Sequence, residues 1–263
     1  MSKYINFLDL GAQPLANNYL KKNDLNKKEI KYRLKVGIDM DNKLVSINKP
    51  LSSKMMFNNN YPYRSSMSKT MIHSFKNLAK IIKKQFKPKK ILEIGSNDGT
   101  FIKNFKKNKI IGIEPCKNVA KITKKIGYKT IDKYWTIKLA KILIKEKKAD
   151  IIYSANTLSH IENLDETFNA INIALKHDGV LILEGPALLP CIKFNIYDQF
   201  YCEHIYVFST ISLKQILKKY DFEIFDLKNL STHGGSTRYF IKKKINKRIK
   251  IYNSVNKEIN KEI

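Results

Sequence analysis

The chain has 263 residues, 43% of them hydrophobic, which argues against general disorder and leaves room for one large domain or two small ones. Lys+Arg 50 against Asp+Glu 23 gives a formal net charge of +27, yet only Arg33, Arg64, Arg238 and Arg248 are arginines, so the forked side chains that read phosphates and bases are scarce and a nucleic-acid partner is not expected. Cys116, Cys191 and Cys202 form no CxxC pair, which argues against a disulfide framework and a cysteine-built zinc site.

The first eleven residues lack a basic stretch followed by a long apolar one, so no signal peptide is read there. Residues 1–65 read as an irregular N-terminal extension rich in Asn, Lys and Pro, with short β-like runs such as 44–47. From Ser66 the texture changes. Met71, Phe75, Leu78, Ile82 and Phe86 recur every three to four residues and predict a helix with one buried face, stopped by Pro88. A regular alternation follows. Apolar runs of strand length at 91–94, 110–113, 151–153 and 180–183, with a weak one at 129–131, are separated by helical stretches at 101–107, 118–126, 136–145 and 165–175. The segment 180–192 is broken by Glu184, Pro186 and Pro190 and is too short to span a bilayer, so a soluble, cytoplasmic protein without a membrane partner is expected. A helix at 209–220 and strands at 222–227 and 238–241 complete the pattern, the last two joined by a turn containing Gly234 and Gly235 and so able to pair antiparallel. Short apolar strands alternating with amphipathic helices predict an α/β fold, a doubly wound seven-stranded sheet whose last strand inserts antiparallel, over residues 66–243. Residues 242–263 place Ile245, Ile249, Tyr252, Ile259 and Ile263 near heptad spacing and read as one amphipathic tail helix.

Within that frame, Glu93-Ile94-Gly95-Ser96-Asn97-Asp98-Gly99-Thr100 follows the first strand of the alternation and opens a helix. Gly95 and Gly99 lack side chains that would block a ligand from the backbone. The order differs from GxGxxG and lacks the GK[ST] of a phosphate loop, while Asp98 suits a cationic group. The next strand ends at Glu114-Pro115, about twenty residues on, where a carboxylate can accept both hydroxyls of a ribose. This combination is the pattern of class I, Rossmann-like, S-adenosylmethionine-dependent methyltransferases. Gly95, Asn97, Asp98, Gly99, Glu114, Pro115 and Asn156 are its expected cofactor residues.

Several longer segments resemble one family. LDLGAQPLANNYL (8–20), YPYRSSMSKTMIH (61–73), EIGSNDG (93–99), GIEPCKNVA (112–120), NTLSHIENL (156–164), YDQFYCEHIYVF (197–208) and THGGSTRY (232–239) are similar to sugar C-methyltransferases that act on nucleotide-linked keto-deoxysugars. The resemblance implies that Tyr63 closes over the methyl donor and the sugar. Two departures accompany it. Family members carry an N-terminal zinc module built on two cysteine pairs, whereas here no upstream pair exists and the aligned downstream pair is Asp39 and Asn42, so zinc is not expected. They also continue into a second α/β domain, so residues 244–263 read as the start of a missing C-terminal domain, with association to a separately encoded half as a further expectation.

Methylating carbon requires removal of a proton beside a ketone and stabilisation of the enolate oxygen. Loop 197–204 follows the fifth strand and lies at the carboxyl edge of the sheet, where ligands bind. His204 is therefore the expected base, with Glu203, Tyr201 and His160 positioning the sugar and steadying the enolate. Tyr197 and His233 are expected substrate contacts, whereas His73 and His177 read as structural or solvated. The expected activity is S-adenosylmethionine-dependent C-methylation of a nucleotide-linked keto-deoxysugar, whose diphosphate the positive charge can attract. An O- or N-methyltransferase of a small molecule, an inactive truncated remnant that binds only cofactor or a partner, and a basic RNA-modifying protein remain the alternatives.

Overall fold

The computed structural model describes residues 3–145 and 147–263. Its N-terminal region is not irregular. Strands β1 (Tyr4–Pro14), β2 (Lys31–Asp39) and β3 (Val45–Ile47) form an antiparallel meander. Polar residues interrupt the alternation along β1 because much of that strand is exposed, so the usual hydrophobic signature of a strand is missing. Nor is residue 65 the end of an independent unit. The two-residue strand β9, at positions 206 and 207, pairs with β3, and Ile47 N–H donates to the Ile205 carbonyl at 2.8 Å, so the first sheet is completed from the later half of the chain.

After the short helix α1 (Ser53–Met56), a strap over residues 57–68 leads into α2 (Lys69–Gln85), which buries the Met71, Phe75, Leu78 and Ile82 stripe. The second sheet then forms from β4 (Ile91–Ile94), β5 (Ile110–Ile113) with α3 (Lys117–Lys125), β6 (Thr130–Ile131) with α4 (Ile137–Leu143), and β7 (Ala149–Ala155) with α5 (Leu164–Ala174). It continues with β8 (Leu175–Pro186), α6 (Leu188–Lys193), the strand β9, α7 (Thr210–Lys218), β10 (Phe222–Leu230), β11 (Ser236–Lys243) and α8 (Asn253–Glu262). Ser68, Thr136, Asn163 and Ser209 cap the N-termini of α2, α4, α5 and α7 by accepting a backbone N–H.

The strand order is β10-β11-β8-β7-β4-β5-β6, parallel across β8, β7, β4, β5 and β6, with β11 antiparallel to both β8 and β10. This is the expected seven-stranded doubly wound sheet. Its central strands are buried on both faces: α2 with Phe101, Ile102 and Phe105 covers one, and α4, α5 and α7 cover the other. Ordering the strands this way brings the carboxyl ends of β4, β5 and β7 together, which is where the site forms. No helix among the described residues is long and apolar enough to cross a membrane.

Two expected helices change. Residues 101–107 hold a 3-10 turn at Ile102–Asn104 and the start of another at Lys107–Lys109, with Phe101, Ile102 and Phe105 all buried in the core. The tail is not one helix over 242–263. Lys242 and Lys243 belong to β11, and α8 starts at Asn253. It packs on the domain through Val255, and both Glu262 oxygens accept backbone N–H groups of Thr210 and Ile211, at 2.8 and 2.9 Å, at the N-terminus of α7.

Candidate active site at the carboxyl edge of the sheet

A cavity of about 680 Å³ opens where the turn after β4, the end of β5 and the turn after β7 converge. The strap, residues 199–204 and the pair Ala16-Asn17 wall it from above, so three separate stretches of chain enclose the strand ends.

On the strand side, Gly95 (φ 73°), Asn97 (φ 48°) and Gly99 (φ 83°) all take left-handed backbone. A side chain at Gly95 would put a Cβ 2.0 Å from Thr157 Oγ1, and one at Gly99 would lie 2.8 Å from Thr123 Oγ1. Their lack of a side chain therefore lets the turn pack against protein neighbours. Asn97 N–H and Cys116 N–H each donate at 2.9 Å to one oxygen of Glu114, tying the turn to the end of β5. The Asn97 side chain clasps the strap, accepting from Ser65 N–H and donating to the Tyr63 carbonyl. Gly95, Asn97, Glu114, Pro115, Asn156 and Tyr63 line the cavity as expected. Asp98 and Gly99 do not. The Asp98 carboxylate is spent on Ser66 N–H and the Thr100 hydroxyl, so it holds the turn and the strap rather than a cationic ligand.

The sequence reading passed over Glu93, which lines the cavity with one carboxylate oxygen buried and unpartnered among the described residues. Burial, then the charges of Glu114 and Asp98, push its carboxyl well above the ordinary range. An acid inside the otherwise apolar run ILEI was the available signal. Asn17, Tyr61 and Thr157 also line the cavity without having been singled out.

Opposite lies a histidine cluster. His204 is 7% exposed, and its Nδ1–H donates to the Gln199 carbonyl at 2.9 Å. That fixes Nε2 as the acceptor, so the Tyr201 hydroxyl, 3.0 Å away, donates to it. Burial lowers the His204 pKa to about 4, against an upward pull from the Gln199 carbonyl. The imidazole is neutral and lines the cavity, with its Nε2 lone pair engaged by the Tyr201 hydroxyl. His160 stacks between Phe57 and His204, with ring centroids 5.1 and 5.2 Å apart, and its Nε2 is sealed from solvent without a partner among the described residues. Burial first, then His204 and His233, hold its pKa well below the usual value. His233, at the rim, has left-handed backbone (φ 51°) and lies 3.2 Å from the Asn156 amide nitrogen, linking the turn after β7 to the one before β11.

Glu203 lines the cavity as expected, whereas Tyr197 does not. Glu203 sits beside His204 in sequence, but its carboxylate is bonded to Asn17 and Tyr61. Tyr197 is 66% exposed and lines a different, apolar groove with Phe7, Leu10 and Ile192, because the 3-10 turn Tyr197–Gln199 carries it outward. It is not a wall of the cavity.

The model of a methyltransferase domain matches residues 63–227, and that of a zinc binding domain matches residues 2–57. The C-methyltransferase NovU of Streptomyces niveus is 24% identical over 243 residues, covering 90% of this chain, which spans 58% of that protein's length. Among solved structures, the plantazolicin methyltransferase BamL, in complex with a triazolic analog and SAH, superposes with TM-score 0.51 at 14% identity, covering 66% of this chain and 84% of that one. An S-adenosylmethionine-dependent methyltransferase from Clostridium acetobutylicum gives TM-score 0.50 at 15% identity, covering 68% and 93%. At these identities the likeness is one of fold.

The N-terminal residues do not fit a zinc ion. Among the described residues, no group of three or more His, Cys, Asp and Glu side chains is placed to hold a metal. At the expected ligand positions, Asp39 Oδ1 accepts Asp41 N–H, Asn42 Oδ1 accepts Leu44 N–H, and the two side chains bond each other at 3.2 Å, so hydrogen bonds close the β2–β3 turn.

Proposed function

The chain belongs to the methyltransferase-domain family, and from that premise we propose that it moves a methyl group from S-adenosylmethionine to the carbon next to the ketone of a nucleotide-linked keto-deoxysugar. The observation that carries this reading is the His204–Tyr201 pair, a neutral imidazole whose Nε2 accepts the Tyr201 hydroxyl, both lining the same cavity as Glu114 and the Gly95–Asn97 turn. The relatedness to NovU supports carbon as the acceptor.

The residues fit the cofactor. Each Glu114 oxygen accepts one N–H and keeps capacity for a ribose hydroxyl, while Glu93 Oε2 and Asn156 Oδ1 are buried acceptors without protein partners among the described residues, suited to an ammonium group. When bound, the cofactor supplies an electrophilic methyl group.

The remaining chemistry belongs to this chain. The Tyr201 hydroxyl turns from His204 Nε2 to the ketone oxygen, which frees the Nε2 lone pair to take the proton from the carbon beside the ketone; the phenol O–H then bonds the enolate oxygen. Glu203 accepts a sugar hydroxyl, and His160 and His233 bound the space in which the sugar lies. Phe57, Tyr61 and Tyr63 of the strap exclude water from the carbanion.

Deuterium exchange into the substrate, measured in D2O with S-adenosylhomocysteine replacing the donor, tests the reading. Washout at the carbon next to the ketone is expected, and its loss in His204→Ala with retained S-adenosylhomocysteine binding identifies the base. Methyl transfer without washout would move the acceptor to oxygen or nitrogen.

A further inference from the structure

The N-terminal region reaches into the cavity at one point. Between β1 and the turn at Lys22–Asp24, residues 16 and 17 meet the loop that carries the base: Ala16 N–H donates to Cys202 Sγ at 3.3 Å, and Asn17 Nδ2 donates to Glu203 Oε1 at 2.8 Å. Asn17 has φ 56°, a left-handed backbone that aims its amide at the carboxylate and that asparagine tolerates better than most residues. From the other side, the Tyr61 hydroxyl donates to Glu203 Oε2 at 3.1 Å, and Asn118 on α3 holds the Tyr61 carbonyl at 3.0 Å. Both Glu203 oxygens are thus gripped, one by the N-terminal segment and one by the strap, while the side chain still lines the cavity.

We propose that Asn17 and Tyr61 are positioning residues that aim Glu203 at a substrate hydroxyl and favour its charged form, which makes the N-terminal region part of the active site. The inference rests on the reading of Glu203 as a substrate contact. A carboxylate only 1% exposed favours the neutral acid unless donors stabilise its charge, and these two side chains supply those donors. The titratable groups that face Glu203 are Tyr61 on the strap, Cys116 ahead of α3, Tyr32 on β2, and Tyr201 and Cys202 on its own loop. Burial pushes the pKa of each upward, so none carries charge near neutral pH; burial also raises the Glu203 carboxyl, and the hydrogen bonds from Asn17 and Tyr61 oppose that rise.

The test follows the Glu203 carboxyl carbon by NMR in protein labelled with carbon-13 at glutamate side chains, with Glu203→Gln assigning the signal. Asn17→Gly removes the amide and suits the left-handed backbone, and Tyr61→Phe removes the second donor independently. In each variant the Glu203 titration is expected to move to higher pH. On a nucleotide-linked keto-deoxysugar, the acid limb of kcat/KM is expected to move the same way, with about a tenfold loss below the new midpoint, the worth of one hydrogen bond to a charged group. Titration unchanged in both folded variants overturns the proposal. A shifted titration in a protein that turns over no keto-sugar upholds the positioning role and rejects the substrate reading instead.

Discussion

Beneath the floor of the cavity, Arg238 on β11 and Glu184 on β8 face each other in register, with side chains 3% and 0% exposed. Arg238 donates through Nε at 2.8 Å to one Glu184 oxygen, its Nη2 lies 2.7 Å from the same oxygen, and Nη2 donates to the Ser74 hydroxyl at 3.0 Å. The Glu184 carbonyl in turn accepts Asn156 N–H at 2.7 Å, so the pair underlies the turn after β7. Arg238→Met keeps the bulk and leaves a buried carboxylate whose remaining partner is the Tyr153 hydroxyl at 3.3 Å. Stranding one member of a buried pair costs about 3–5 kcal/mol, whereas replacing both partners is often close to neutral. Urea unfolding should therefore show Arg238→Met losing about 3–5 kcal/mol, with much of it regained in Arg238→Met/Glu184→Gln. A single-variant loss below about 1 kcal/mol, within the range of an exposed pair, or a double variant no more stable than the single, would refute the reasoning.

Other consequences are equally direct. Gly95→Ala must adopt left-handed backbone and meet Thr157, so thermal unfolding should report a loss of at least about 1–2 kcal/mol, with weakened S-adenosylhomocysteine binding in calorimetry. Because the folded pKa of His204 is lowered from 6.5 to about 4, the unfolded chain binds the proton more readily between those values. The contribution of His204 to stability is complete above pH 6.5 and is lost as pH falls toward 4; urea titrations should show wild type losing ground to His204→Gln across that window, and a constant difference would contradict the assignment. Glu262→Ala removes the acceptor of two N–H groups at the start of α7 and should cost about 1 kcal/mol in chemical denaturation. Tyr197→Ala should leave S-adenosylhomocysteine affinity at the wild-type value, since its side chain lies outside the cavity.

The alternation of buried strands and helices was legible because each strand carries its own signature: Ile91–Ile94 and Ile110–Ile113 are short apolar runs that only burial on both faces explains. The glycine turn, Glu114 and the histidines were legible for a similar reason, since polar residues just beyond strand ends fall at the carboxyl edge whatever the surrounding loops do. Beyond those local signals the sequence was silent. Strand β1 was missed because half-exposed strands lose their alternation, and the 101–107 helix was misread because its apolar spacing suits a core-facing turn equally well.

Composition, periodicity and motif spacing thus determined the class of sheet, the direction of its last strand and the edge at which the site lies. Which side chains meet there depended on chain crossings that no local pattern encodes. Asn17 and Glu203 are 186 residues apart, and their bond exists because β3 pairs with β9 and carries the N-terminal segment over the Tyr201–His204 loop. A local 3-10 turn took Tyr197 out of the site, and Ser66 of the strap with Thr100 holds Asp98 away from the cavity. Side-chain direction in a loop is set by what packs against it, and for Glu203 one of those partners, Asn17, comes from the opposite end of the sequence.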